Sequence, residues 1–420
     1  VNTAQRLESL VGTALDIELP VRIRAWDGSE AGPAGPVLVI RSRRALRRLV
    51  WAPGELGLAR AFVAGDLDVD GDLGEGLREV WRRSDGQAPT RPTARKLADA
   101  LRQAARLGAL GPPPTPPSTE ARLKGRRHSR RRDRAAIAHH YDLSNDFYRL
   151  LLDDHMAYSS AYFTDDRQTL HEAQTAKLDL ICRKLGLTDG MRLLDVGCGW
   201  GSLVLFAAEH YGVHATGITL SARQRDFVVA RVADRGLTGR VNVGLQDYRE
   251  FADDSEPFDA VASVEMGEHV GEENYGTYAA MLYRSLKPTG RLVLQQMSRG
   301  ADAAPGGGAF IESYIAPDMH MRPMGQTVNY LQDAGFEVRD VEAMREHYVR
   351  TVDCWIDTFE RRYDEFVALA GEEVARVWRL YLVGGGLAFE QGRMGVDQIL
   401  AVKPDAGGEA AMPWGRPWSM

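Results

Sequence analysis

The segment Leu193-Leu194-Asp195-Val196-Gly197-Cys198-Gly199-Trp200-Gly201 constrains the fold of this chain more than any other. The apolar run ending in Asp195 reads as a buried strand, the alternating glycines as a tight turn, and Ser202-Leu203-Val204-Leu205-Phe206-Ala207-Ala208 as the first turns of a helix. Glycine lets backbone approach a ligand closely, and the amides of a helix N-terminus favour a negative group. Two cofactor classes fit such a turn. A dinucleotide site has the form G-x-G-x-x-G, whose third glycine would fall on Ser202; the G-x-G-x-G form found here favours S-adenosylmethionine.

From about residue 176 helical and strand patterns alternate, with candidate strands at 191–196, 213–218, 240–245, 258–264 and 291–296. Helical stretches at about 352–369 and 372–390 precede a last strand near 398–402. That rhythm predicts an α/β fold around a parallel sheet. The second strand runs into Thr219-Leu220-Ser221 instead of the acid that often holds ribose hydroxyls, so Thr219 and Gln224 are the candidate substitutes. Asp247 and Tyr248, after the third strand, are placed to meet an adenine. Glu265-Met266-Gly267-Glu268-His269-Val270 ends the fourth strand at the edge where open α/β sheets bind ligands. Glu268 or His269 there is a candidate to orient a base, with a polar loop or helix cap as the alternative.

The chain has 420 residues, enough for two cores. Residues 1–110 form the expected first domain, with short apolar runs such as Val37-Leu38-Val39-Ile40 and a basic helix over 93–110. Residues 111–134 form a Pro-rich, then polybasic linker, and 135–404 the second domain, with a Gly- and Pro-rich substrate lid near 299–325 and a tail at 405–420. A composition of 44% hydrophobic and 26% charged residues excludes wholesale disorder and a membrane-embedded body. No signal pattern or spanning stretch is evident, which places the protein in the cytoplasm. Cys182, Cys198 and Cys354 are expected as free thiols, and no metal site is expected. Asp66, Asp68, Asp70 and Gly71 copy the opening of a calcium loop, but position twelve is Leu77, so a solvated acidic turn is the better reading.

The net charge of −6 argues against nucleic acid, yet Thr119–Arg134 carries a local excess of six positive charges. Such a run is either a solvated linker or a contact for anionic phospholipid, at about 1 kcal/mol per basic residue near the surface. The second reading makes the protein peripheral on the inner face of the cell membrane, through residues 122–134.

Ala138-His139-His140-Tyr141-Asp142-Leu143-Ser144-Asn145-Asp146-Phe147-Tyr148 and Met156-Ala157-Tyr158-Ser159-Ser160-Ala161-Tyr162-Phe163 resemble the entrance segment of the cyclopropane-fatty-acyl-phospholipid synthases and their mycolic-acid-modifying relatives. The resemblance continues through the glycine turn, Thr219-Leu220-Ser221, Gln246-Asp247-Tyr248-Arg249, Glu268-His269 and Glu346-His347-Tyr348-Val349-Arg350-Thr351-Val352, covering about 135–403. It implies a class I S-adenosylmethionine methyltransferase fold, with a mostly parallel seven-stranded sheet and a smaller N-terminal mixed α/β domain. It also implies action on the cis double bond of an acyl chain in a phospholipid. Carried over, Tyr158, Ser159, Asp195, Gly197, Gly199, Thr219, Leu220, Gln224, Asp247 and Tyr248 would hold the cofactor.

In that family a bicarbonate ion serves as base, held by a Cys, a Glu, a His and a Tyr. Glu268 and Tyr348 match two of these; the Cys position is Ser160 and the His position is Gln295, in Gln295-Gln296-Met297. These four are the expected catalytic residues, around an altered bicarbonate site. Exchange of ionisable for neutral groups favours a methylene branch over a cyclopropane, and a reductase acting on the product is then an expected partner, beside a possible second copy of the chain. A methyltransferase for a small metabolite and a lipid-binding module are the rival readings.

Overall fold

The computed structural model describes residues 1–15, 19–83, 98, 102–121, 125–129, 132–133, 144–251 and 256–418. The chain divides into two compact units: Val1–Arg122 with Gly308–Ile315 and Tyr363–Leu387, and Leu123–Gly307 with Ala316–Arg362 and Ala388–Met420.

The first unit is built on a four-stranded sheet of β1 (Arg22–Arg24), β2 (Glu30–Ala31), β3 (Val37–Ile40) and β4 (Leu67–Asp70), in the order β2-β1-β3-β4. Helices Thr3–Leu15, Arg43–Trp51, Glu55–Val63 and Leu73–Arg83 accompany it, and Leu7, Ile23, Ile40, Leu46, Ala61 and Leu67 meet in its core. Of the basic helix expected over 93–110, residues 102–106 are helical, and Ala104, Leu107 and Ala109 join that core; 93–97 and 99–101 lie outside the described residues. The acidic turn is solvated at Asp70 and Gly71, whereas Asp66 and Asp68 are drawn into ion pairs with the fold. Asp66 is buried and bound by Ser42, Arg44 and Arg48, Asp68 by Arg41 and Arg376, and Asp70 by Arg24.

Two later segments belong to this unit, although the sequence reading assigned both to the second domain. Glu55 accepts the Ala309 and Phe310 amides at the start of helix Ala309–Tyr314, satisfying donors that a helix end leaves free. Arg376, on helix Glu372–Glu390, donates to the Phe62 and Leu67 carbonyls. The expected lid at 299–325 is thus divided between the units.

The second unit carries a seven-stranded sheet in the order β10-β11-β9-β8-β5-β6-β7, formed by β5 (Arg192–Val196), β6 (His214–Thr219), β7 (Val241–Leu245), β8 (Phe258–Val264), β9 (Leu286–Ser298), β10 (Glu337–Ala343) and β11 (Gly395–Val402). Strands β9, β8, β5, β6 and β7 run parallel, and β11 is antiparallel to both β9 and β10. Alternation along each strand divides the core. Leu193, Ala260, Ala262 and Val293 pack under helices Leu170–Leu185, Ser202–Tyr211 and Ala222–Asp234, while Leu194, Val261, Leu292 and Leu294 pack under Glu272–Arg284 and Met324–Asp333. Helix Leu170–Leu185 opens on a Thr169–Glu172 capping box and closes on left-handed Gly186. The helical stretch expected at 352–369 is two helices, Arg345–Arg361 and Tyr363–Ala370. Among the described residues no helix is long and apolar enough to cross a membrane.

Candidate active site

Strand β5 delivers Asp195 to the C-terminal edge of the sheet, and the glycine turn follows. Gly197 and Gly201 hold φ of 89° and 82°, the left-handed region that glycine enters without strain. A Cβ on Gly197 would lie 2.8 Å from Met266 Cγ, and one on Gly201 2.7 Å from Val228 Cγ1, so both turns are also closely packed. Above them opens a cavity. Tyr158, Ser159, Asp195, Gly197, Gly199 and Gln224, all expected from the sequence, line it. Lys177, Trp200 and Glu265, which the sequence reading did not single out, line it as well.

The other expected cofactor residues are not in the wall of this cavity. Thr219 ends β6 and donates its hydroxyl to Gln224 Oε1 at 2.8 Å, with half-buried Leu220 next in the turn. Asp247 caps the turn Tyr248–Glu250 and accepts two hydrogen bonds from the Arg249 guanidinium. Tyr248 buries its ring, and its hydroxyl has no partner among the described residues.

The entrance segment is described from Ser144 onward; Ala138–Leu143 lie outside the described residues. Gln174 donates to the Ala157 and Ser159 carbonyls, and the Ala161 amide donates to Thr351 Oγ1, which fixes Tyr158–Ala161 between two helices. Lys177 is fully buried and donates to Ser159 Oγ at 2.8 Å. Burial pulls its ammonium down to about 8, against the raising influence of Glu265, Asp153 and Asp195. Burial pushes Asp195 up to about 7, with Lys177 opposing. Asp195 Oδ1 is buried with no hydrogen-bond partner among the described residues.

Three of the four expected catalytic residues converge, though on a group the sequence reading passed over. Ser160 donates its amide to Glu265 Oε1 at 2.8 Å, Gln295 Nε2 donates to the same oxygen at 2.9 Å, and the Tyr348 hydroxyl donates to Glu265 Oε2 at 2.7 Å. Gln398 Nε2 donates to Gln295 Oε1 at 3.0 Å, which turns the Gln295 amide group toward Glu265. Glu265 itself has φ of 52°, a conformation that costs a non-glycine residue about 1–3 kcal/mol and concentrates at functional sites. Burial raises its carboxyl above the usual range, while these three donors oppose the shift. Glu268, the fourth, is not in the cavity wall. Its Oε1 accepts the Met297 amide, its Oε2 is buried without a partner among the described residues, and burial together with nearby Glu265 pushes it up to about 8. Burial pushes the His269 imidazole down to about 4, which leaves it neutral.

Lys177 had a signal in the sequence. It shares a helix face with Ala173, Leu180 and Lys184, all buried, so lysine recurs where the phase calls for apolar residues. Glu265 had none, because its partners come from three separate segments.

The residues of the cavity fit S-adenosylmethionine: the buried Asp195 Oδ1, without a partner among the described residues, would attract a cationic ligand, and the glycines leave room for its close approach. The sheet order and this cavity define a class I S-adenosylmethionine-dependent methyltransferase with a smaller N-terminal mixed α/β unit. The chain belongs to the mycolic acid cyclopropane synthetase family, whose model matches residues 128–399. It is 38% identical over 406 residues to a probable fatty acid methyltransferase of Pseudomonas putida, covering 95% of this chain and 96% of that one. It is also 38% identical over 431 residues to the probable fatty acid methyltransferase Rv3720 of Mycobacterium tuberculosis, covering 100% and 98%. Among solved structures, mycolic acid cyclopropane synthase CmaA1 in complex with SAH and CTAB matches with a TM-score of 0.60 and 34% identity, covering 64% of this chain and 98% of that one. The protein is accordingly a methyltransferase of a lipid-modifying family, with S-adenosylmethionine as its cofactor.

Proposed function

We propose that the protein methylates the cis double bond of an oleoyl-type acyl chain carried in a phospholipid and releases a methylene-branched chain, which a separate reductase would convert to a 10-methyl fatty acid. One observation carries the reading, the run of aromatic rings behind the cavity. Tyr158 and Trp200 line the cavity; Trp355 lies 5.3 Å from Tyr158, Tyr348 lies 6.1 Å from Trp355, and Phe389 lies 4.4 Å from Tyr348, centroid to centroid. An alkene is a weak nucleophile, and its methylation leaves a carbocation. Aromatic faces stabilise a desolvated cation by about 2 kcal/mol, and apolar walls exclude the water that would quench it. When bound, S-adenosylmethionine supplies the electrophilic methyl carbon.

Tyr158, Ser159, Asp195, Gly197, Gly199 and Gln224 hold the cofactor in this reading, with Thr219, Leu220, Asp247 and Tyr248 shaping the adenosine end. Ser160 and Gln295 stand where the resemblance has a thiol and an imidazole. Neutral hydrogen bonders lengthen the life of the cation, which permits a hydride shift before the proton leaves and so favours the methylene branch.

The acceptor places the enzyme at an anionic membrane surface on its cytoplasmic side. Arg126 pairs with Glu273, and Arg127 and Arg132 pair with Asp318, so their charges are already partly used within the second unit. Arg122, Lys124, Arg130, Arg131 and Arg134 lie outside the described residues and carry the rest of the basic run.

Vesicles of oleoyl phospholipid, vesicles of the saturated stearoyl analogue and free oleate, each incubated with protein and S-adenosylmethionine, test the acceptor. Release of S-adenosylhomocysteine only with oleoyl vesicles is expected. Equal release with stearoyl vesicles would contradict the reading.

A further inference from the structure

The resemblance implies a bicarbonate base held by residues at the positions of Ser160, Glu268, Gln295 and Tyr348. Here three of these, Ser160, Gln295 and Tyr348, already hold a carboxylate that belongs to the chain. Both oxygens of Glu265 are engaged, Oε1 by the Ser160 amide and Gln295 Nε2, Oε2 by the Tyr348 hydroxyl. A second anion would meet a buried carboxylate with its donors spent, and an unsolvated anion without donors is strongly disfavoured. The residues present do not fit bicarbonate.

We propose that Glu265 is itself the proton acceptor of the reaction, a carboxylate built into the fold in place of a dissolved ion. The inference rests on the alkene methylation proposed above and names the base that it needs. Glu265 lines the cofactor cavity, which Glu268 does not. Among the described residues its hydrogen-bond donors are neutral, and Lys177 acts on it through charge without a hydrogen bond. Its left-handed backbone, at φ of 52°, is held in place by bonds to the entrance segment, β9 and helix Arg345–Arg361. Burial raises its carboxyl, which brings a carboxylate nearer the basicity that proton transfer at neutral pH requires.

The step balances as follows. The π pair of the alkene forms the bond to the incoming methyl carbon, the carbon–sulfur pair stays on sulfur, and the adjacent alkene carbon becomes cationic. A hydride moves with its pair from the methylated carbon to that cation, leaving the charge on the carbon that bears the methyl group. Glu265 accepts a proton from the methyl group, the C–H pair becomes the new C=CH₂ π bond, and the neutral acid later returns its proton to solvent.

The full-length protein, S-adenosylmethionine and oleoyl phosphatidylglycerol vesicles, in carbonate-free buffer and with added sodium bicarbonate, test the assignment. Wild-type turnover is expected to be the same in both buffers. Glu265→Gln should lower methylated lipid by about a hundredfold or more, with cofactor affinity by calorimetry nearly unchanged. Glu265→Gly suits the left-handed backbone and opens a carboxylate-sized gap beside the same donors, so added bicarbonate or formate should restore part of its turnover. Bicarbonate-dependent wild-type turnover, Glu265→Gln activity within tenfold of wild type, or an unrescued Glu265→Gly that still binds cofactor would each overturn the assignment while leaving the methylation standing. A wild-type protein that binds cofactor and methylates no unsaturated acyl chain overturns the functional reading, and this inference falls with it.

Discussion

Asp195 couples the cofactor cavity to pH. It titrates at about 7 because burial outweighs the help of Lys177. A cationic cofactor favours the ionised carboxylate, so binding must displace a proton whenever the pH lies below that value. Affinity for S-adenosylmethionine should therefore fall about tenfold from pH 7 to pH 5.5, as one group titrates. Calorimetry across that interval checks it; Asp195→Asn should flatten the profile, and Lys177→Met should shift it to higher pH by removing the opposing charge. Gly197→Ala belongs to the same scale. Its Cβ meets Met266 at 2.8 Å in a left-handed conformation, so we expect a lower unfolding midpoint and cofactor affinity weakened about tenfold, for roughly 1–2 kcal/mol of strain. The glycine turn was legible in the sequence because few residues can make such a turn. Glu265 was not, since it sits in a short run with Glu268 and His269 and nothing local distinguishes them.

At the level of elements, the pairing of β9 with β11 sets the chemistry of the cavity wall. Their register puts Gln295 opposite Gln398, and the Gln398 amide fixes which end of Gln295 faces Glu265. Gln398→Leu should leave cofactor affinity intact and lower turnover about tenfold, by leaving one hydrogen bond to the Glu265 carboxylate free to break. A turnover loss matched by an equal loss of cofactor affinity would point to a general disturbance of the sheet. The strands with continuous apolar runs, β5 and β8, were readable from their pattern. Strand β10 was not, because Glu337–Ala343 interleaves charges with two valines and buries only Asp340 fully. Helix Ala309–Tyr314 was also missed, since Glu55, some 250 residues earlier, supplies its N-terminal acceptors.

For the whole molecule, each of the two units is assembled from segments that are discontinuous along the chain. Segments 308–315 and 363–387 return to the first unit. The sequence could suggest two cores and a basic junction but not this return, which depends on Glu55 and on Arg376 reaching backbone carbonyls of the first unit. The proposed membrane contact is tested on the full chain. Neutralising Arg130, Arg131 and Arg134 together should weaken sedimentation with anionic liposomes by about 3 kcal/mol at low salt, while sparing Arg132 keeps its pairing with Asp318. Unchanged sedimentation would remove these residues from the membrane contact. Proton NMR of the acyl chains recovered after incubation with S-adenosylmethionine and oleoyl phospholipid separates the two isomers that share one mass. Exocyclic methylene signals are the predicted result, and cyclopropane signals alone would contradict it.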